Sequence, residues 1–527
     1  MHSSETTRYL AEISLDARQQ AIEHLNIAGF PEVHILPTYY EQRHGWVRWL
    51  LERKGPFTDW RFAQREGESI DPYKNKNHQP ADILSPVFSG ESSSWNFRTT
   101  RFLTKLWQSY RQRVSETILK SAESDYDASF ERIRGEIRKD FWQVFNSYGA
   151  FLREQGADFS HRQRVTVAGS GADAIRVAYD LTCSSLPPEL VAGSAATTTE
   201  NGSGVYELPL GEDKKGLVAL RSDLDIENTN QEISDQELVE FYTRQIDQGV
   251  SFISLTLASK TGVRYDISHT SEPSVMEQVL AYAAEKNAQV QPVVIILDAV
   301  QLVGRVPFAQ VLSYLEKPGV SGLVHTGSKG PGGAPHAGCI IWSEMGRQQV
   351  TDNTSKLSPA QRQQVVQNLR SREVVYSPYA MLPESNRQWD VMASLRAMDN
   401  MVAVGEAEKI LAHSSYAETV AAINDFYTQI FHTAGFRILS NDLPNIIAME
   451  PPDGLRSETH AHAFLGHIAE QGIAFGGFLK ENHYPIFRWG IAIDLIHLVQ
   501  QQEISLTEYQ DQLVQALASA KAAVLSQ

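Results

Sequence analysis

The 527-residue chain holds only two cysteines, Cys183 and Cys339, too few for a disulfide framework. That usage fits a reducing compartment. Long apolar runs are also missing, and none approaches the roughly 20 residues that a membrane span requires. The opening stretch, MHSSETTRYLAEISLDARQQ, has no apolar core behind a basic start. It is therefore not read as a secretory leader, and a cytoplasmic protein is expected. Positive charge is in deficit: 47 Lys and Arg against 63 Asp and Glu leave a net charge of −16. That balance argues against nucleic acid or an anionic membrane as the main partner and leaves a small-molecule ligand. No internal repeat is visible. Hydrophobic content of 42% and charged content of 21% are those of an ordinary globular protein, long enough for two or three domains.

What is present centres on residues 292–342. Pro292 to Leu297 is a short apolar run rich in Val and Ile, the pattern of a strand covered on both faces in a parallel sheet. It ends on Asp298, with Gln301 three residues further on. A second apolar stretch, Gly322 to Val324, leads into His325-Thr326-Gly327-Ser328-Lys329 and a Gly-Pro-Gly-Gly tail, and a third follows at Cys339 to Trp342. A carboxylate, an amide and a lysine thus sit at strand exits, where open α/β sheets place their ligand crevice. Taken singly, Asp298 reads as a turn cap and Lys329 as a solvated loop lysine. Together they match the needs of pyridoxal phosphate (pyridoxal 5'-phosphate) held as a Schiff base. The lysine supplies the amine, a carboxylate keeps the pyridine nitrogen protonated, an amide donates to the ring's phenolate oxygen, and small hydroxyls hold the phosphate. A nucleotide loop is the rival for the glycine-rich part, but G-x-x-x-x-G-K-[ST] is absent.

Asp298-Ala-Val-Gln301 followed by Thr326-Gly-Ser328-Lys329 resembles the cofactor site of the class-V aminotransferase branch of fold-type I pyridoxal-phosphate enzymes. The resemblance spans roughly residues 160–500. It implies Lys329 as the Schiff-base lysine, Asp298 as the partner of the pyridine nitrogen and Gln301 as the partner of the ring oxygen. Thr326 and Ser328 become phosphate contacts. It also implies an α/β fold: a mainly parallel, seven-stranded-type sheet in a large domain, a smaller C-terminal α/β domain, and a helical N-terminal extension. The boundaries expected are 1–160, 161–400 and 401–527. A homodimer follows from the same resemblance.

The remaining stretches fit around that centre. Residues 5–28 have helical spacing, and residues 30–100 are aromatic-rich and irregular, like an arm over a partner or active site. Tyr73, Asn77 and Ser94 in the arm are substrate-side candidates. From Thr99 to about Glu154 the pattern is amphipathic and helical, a scaffold. Arg164 to Ala168 reads as a strand, and Ser170-Gly171-Ala172-Asp173 opens the next helix with S-x-x-D spacing. That is either an ordinary capped helix or an anion site, and the resemblance makes Ser170, Gly171 and Ala172 the phosphate loop. No ring-stacking aromatic or His stands out after that helix. The strand at Ser251 to Leu257 exits into Ser259-Lys260-Thr261. Thr261 is placed near the ring by resemblance, and Lys260 is a second amine on the substrate side. In the last third, short strands at 436–439, 446–449 and 487–493 alternate with helices. Arg488 stands where the family sets an arginine on a substrate carboxylate. His460, His462 and His467 lack a nearby carboxylate set, so no metal is expected. The reading is an aminotransferase. The alternative is a lyase or carbon–carbon bond-forming enzyme on the same cofactor, with a non-catalytic relative of the fold behind both.

Overall fold

The computed structural model describes residues 46–47, 86–88, 90, 106, 109–118, 125–186, 193–194, 235–259, 261–268, 273–289, 293–333, 337–379, 391–439, 442–473, 475 and 486–526. Lys260, Tyr73, Asn77, Ser94 and the helix expected over 5–28 lie outside them.

Among the described residues a six-stranded sheet forms the centre: β1 (Val165–Ala168), β2 (Gly193–Ser194), β3 (Phe252–Thr256), β4 (Val294–Asp298), β5 (Val320–His325) and β6 (Gly338–Trp342), in the order β1-β6-β5-β4-β3-β2. β2 to β5 pair in parallel, whereas β6 is antiparallel to both β5 and β1. The sheet is therefore mainly parallel, with β6 alone running the other way among these strands. Every residue of β1, β3, β4, β5 and β6 is buried. That is the both-faces-covered condition foreseen from the unbroken Val and Ile runs.

Side chains alternate across the sheet. Ile295, Leu297, Leu323 and Ile341 join one core, and Val294, Ile296, Val324 and Ile340 join another. On the first face lies α1 (Tyr126–Glu154), whose Phe130, Ile133, Ile137, Phe141, Phe145, Tyr148 and Leu152 recur every three or four residues on one buried stripe. On the second face lies α2 (Gly171–Cys183), which packs against β6 and β1.

A smaller sheet, β7 (Arg437–Ile438), β8 (Ile446–Glu450) and β9 (Phe487–Gly490), is antiparallel throughout. It forms a separate core with the end of α3 (Val391–Leu411), with α4 (Tyr416–Thr433) and with the helices Glu458–Ala469 and Gln510–Leu525. Val87 and Phe88 are buried in this same core. The Val87 carbonyl accepts from Tyr427 Oη, and the Gly90 carbonyl accepts from the Gly490 amide of β9. This piece of the aromatic-rich stretch is thus sewn into the C-terminal lobe. α3 runs unbroken through position 400, where a domain boundary was expected. Its residues 391 to 404 pack in the first core, and Ala407 and Ile410 in the C-terminal one.

Candidate active site

β1, β4 and β5 run in the same direction, so their carboxyl ends share one edge of the sheet. Asp298 closes β4 opposite Val324 of β5, and Thr256 at the end of β3 stands beside Asp298. Gly338, opening β6 between them, is paired with Ala168 at the end of β1. Register alone therefore gathers the exits carrying Ser170, Thr261, Asp298 and Lys329.

Packing brings three of these exits into contact. A Cβ on Gly171 would lie 3.1 Å from Val300 Cγ2 and 4.0 Å from Thr326 Cβ. The start of α2, the turn after Asp298 and the turn before Lys329 hence meet. A Cβ on Gly338 would collide with the Ser170 carbonyl, which holds the α2 entry tight against β6.

At the α2 entry, Ser170 Oγ accepts from the Asp173 amide at 2.9 Å and donates to Asp173 Oδ2 at 2.6 Å. The carboxylate is bonded to the Ser170 hydroxyl and to Arg176 at 3.3 Å. The Ser170 hydroxyl is thus engaged within the helix cap. The Gly171 and Ala172 amides donate to nothing among the described residues, which leaves two N–H groups at a helix N-terminus.

Asp298 is 8% exposed, and its Oδ1 accepts from the Val300 amide at 3.0 Å, fixing the carboxylate across the mouth of the turn. Gln301 is 4% exposed. Its carbonyl and its side-chain Oε1 both accept from Arg305 Nη1, at 2.9 and 3.1 Å. Arg305 was not singled out from the sequence, although its place four residues after Gln301 on a turning chain is a readable signal.

The turn after β5 is tied inward. Thr326 Oγ1 donates to the Ala337 carbonyl at 2.6 Å and lies 2.8 Å from Ser328 Oγ and 3.0 Å from Asn400 Oδ1 of α3. It also accepts from the Ser328 amide at 3.1 Å. Thr326 is buried, and its bonds make it the organiser of the loop. The amide of Gly333 donates to the Gly327 carbonyl at 2.7 Å, and that of Gly332 to the Lys329 carbonyl at 3.0 Å, so the loop closes on itself around Lys329. Its glycines are there for close approach. Added Cβ atoms at Gly327 and Gly330 would strike the Asn400 and Val303 carbonyls respectively. Lys329 itself is half-buried.

On the other side of the sheet edge, His325 is fully buried, 2.7 Å from Tyr148 Oη through Nε2. Burial holds its pKa down at about 3, so the ring is neutral and belongs to the core. Thr261 is half-buried, its hydroxyl 2.7 Å from Ser259 Oγ in the turn after β3. Arg488 sits on β9 opposite Ala448 and is half-buried. Arg437, the other arginine of that sheet, forks onto Glu450, with Nε at 2.6 Å from Oε2, so its guanidinium is already taken.

Both cysteines are buried, Cys183 at the end of α2 and Cys339 in β6, and burial pushes each thiol up to about 12. Neither is a thiolate at neutral pH. Among the described residues there is no metal-binding group of His, Cys, Asp or Glu, and no helix long and apolar enough to cross a membrane.

No family model matches the chain, and no curated protein does. Among solved structures it is similar to the ureidoglycine–glyoxylate aminotransferase of Bacillus subtilis (11% identity over 82% of this chain and 97% of that one, TM-score 0.48). The alanine–glyoxylate aminotransferase of Nostoc sp. gives 17% identity over 73% and 88%, with a TM-score of 0.47. A cysteine desulfurase from Thermococcus onnurineus gives 10% over 81% and 94%, with a TM-score of 0.47.

Proposed function

We propose that this chain is a pyridoxal-phosphate-dependent enzyme acting on an amino acid or amine, and that transamination is its reaction. The observation that supports this best is the close approach of the α2 entry to the turns that carry Asp298 and Lys329, through Val300 and Thr326, with Gln301 held by Arg305 just beyond Asp298. The donor set suits the cofactor. The amides of Gly171 and Ala172 would take the phosphate at the positive end of α2, with Ser328 as a neighbouring hydroxyl. Asp298 would oppose the pyridine nitrogen, the Gln301 amide would meet the ring oxygen, and Thr261 would flank the ring. When bound, pyridoxal phosphate draws electrons from the substrate carbon attached to the amine.

This chain's own residues do the rest. Lys329 Nζ would hold the cofactor covalently and would serve as the base that takes the proton from the substrate α-carbon. Asp298 would keep the ring nitrogen protonated. Arg488 clamps a substrate carboxylate through two parallel N–H donors, fixing which bond faces the base. The buried, neutral thiols of Cys183 and Cys339 supply no nucleophile. The active unit in this reading is a homodimer, and a fully active monomer in sedimentation at micromolar concentration would count against it.

The test is an absorbance scan of the purified protein after incubation with pyridoxal phosphate, titrated with amino acids one at a time. A visible band fixed by borohydride and perturbed by some amino acids is expected. A protein that takes up no cofactor would end the proposal.

A further inference from the structure

Arg305 is buried, 6% exposed, in the turn that follows β4, and no carboxylate pairs with it among the described residues. An unpaired buried cation is expensive, so its surroundings have to compensate it. The compensation recorded is Gln301: one guanidinium nitrogen reaches both the backbone carbonyl and the side-chain Oε1. Its Nε has no partner among the described residues. The position is also fixed from behind. Gly304 has φ +77°, and a Cβ there would run into the Pro331 nitrogen, while a Cβ on Gly330 would lie 3.2 Å from Arg305 Cγ. The Arg305 turn and the Lys329 loop are interlocked pieces.

A guanidinium only donates, which decides the orientation of the Gln301 amide: the end facing Arg305 has to be the oxygen. The Nε2 end then points elsewhere, and it donates to nothing among the described residues. We propose that Arg305 is a positioning residue for the ligand crevice. It pins Gln301 by its oxygen so that the two Nε2 hydrogens are presented as donors, strengthened by the neighbouring positive charge. This inference rests on the pyridoxal-phosphate reading above and adds to it the group that aims and polarises the donor to the ring oxygen. Burial, with the like charge of Arg488 adding to it, pulls the Arg305 pKa down to about 10, so it is still a cation at neutral pH.

The bland account is a staple: Arg305 fastens the Gln301 backbone and nothing more. A mutant cycle on the pyridoxal-phosphate-loaded protein separates the two. Arg305→Gln, Gln301→Ala and the double variant are compared for cofactor dissociation constant, for the pH titration of the visible band, and for thermal unfolding. Losing one hydrogen bond to a charged ring oxygen should weaken retention roughly tenfold in Gln301→Ala. Arg305→Gln should give a loss of similar size and a shift of the band's titration by about one pH unit. In the Gln301→Ala background, Arg305→Gln should then add nothing to either readout. Additive losses, or an Arg305→Gln protein with the unaltered band and retention, overturn the proposal even where thermal stability falls. Arg305→Lys keeps the charge without the planar fork and serves if Arg305→Gln does not fold. A smaller shift of the same sign is expected from it, and an unaltered band would again count against the role. If the unsubstituted protein binds no pyridoxal phosphate, the parent reading fails first, and that result is distinct from all of these.

Discussion

Lys329 and Arg488 separate holding a cofactor from holding a substrate. Lys329→Ala should abolish the borohydride-fixed label and lower turnover by roughly 10²- to 10⁴-fold, the usual worth of a positioned proton-transfer group. Peptide mapping reads it directly, and a label carried on the Lys260 peptide instead would displace Lys329 from its role. Arg488→Ala should leave the cofactor band unchanged and raise KM for amino-acid substrates about 30- to 1,000-fold, the worth of two charge-assisted hydrogen bonds. An unchanged KM moves the carboxylate contact elsewhere, though not to Arg437, which is forked onto Glu450.

The element that sets Lys329 is the pair of interlocked turns, residues 303–306 and 329–333. Gly304→Ala would place a Cβ against the Pro331 nitrogen at a φ of +77°, so the two turns cannot both keep their positions. The expected loss is about 2 to 4 kcal/mol in urea unfolding, together with weaker cofactor retention. Gly135→Ala is the matched control: it lies on the exposed face of α1, and its new Cβ would meet nothing within 4 Å. It should gain about 0.5 to 1 kcal/mol, and equal effects at the two glycines would refute the interlock. Much at this scale was legible beforehand. The Val and Ile runs announced β3, β4 and β6, the S-x-x-D spacing announced the α2 cap, and Asp298, Gln301 and Lys329 stood out by their strand exits. The inward role of Thr326 was not legible, because its partners Ala337 and Asn400 are brought in by the return of β6 and by α3. The same holds for the burial of Val87 and Phe88 with Tyr427, a contact spanning more than half the chain. Local periodicity reports which face is apolar and carries no information on a partner hundreds of residues away.

At the scale of the whole molecule, two cores share α3, so acid sensitivity built into the first should be felt in global stability. His325 lies in that core with a pKa held down to about 3 by burial, against roughly 6.5 in an unfolded chain. Between those values the unfolded state binds a proton that the folded state refuses, so this group's contribution makes stability rise with pH and fall as pH drops below 6.5. Asp180 on α2 works the other way, because burial outweighs Arg372 and pushes its carboxyl up to about 6. The slope of the wild-type curve therefore mixes both signs, and a difference between variants isolates the histidine. His325→Gln can still meet Tyr148 Oη but does not titrate. It should be less stable than the parent at pH 7, and the gap should shrink by about 2 kcal/mol between pH 6.5 and 5, from about 1.4 kcal/mol per pH unit for a single proton. Urea unfolding at closely spaced pH values measures that gap. A gap that stays constant across the window would mean that His325 is protonated inside the fold, and that its contact with Tyr148 survives the charge.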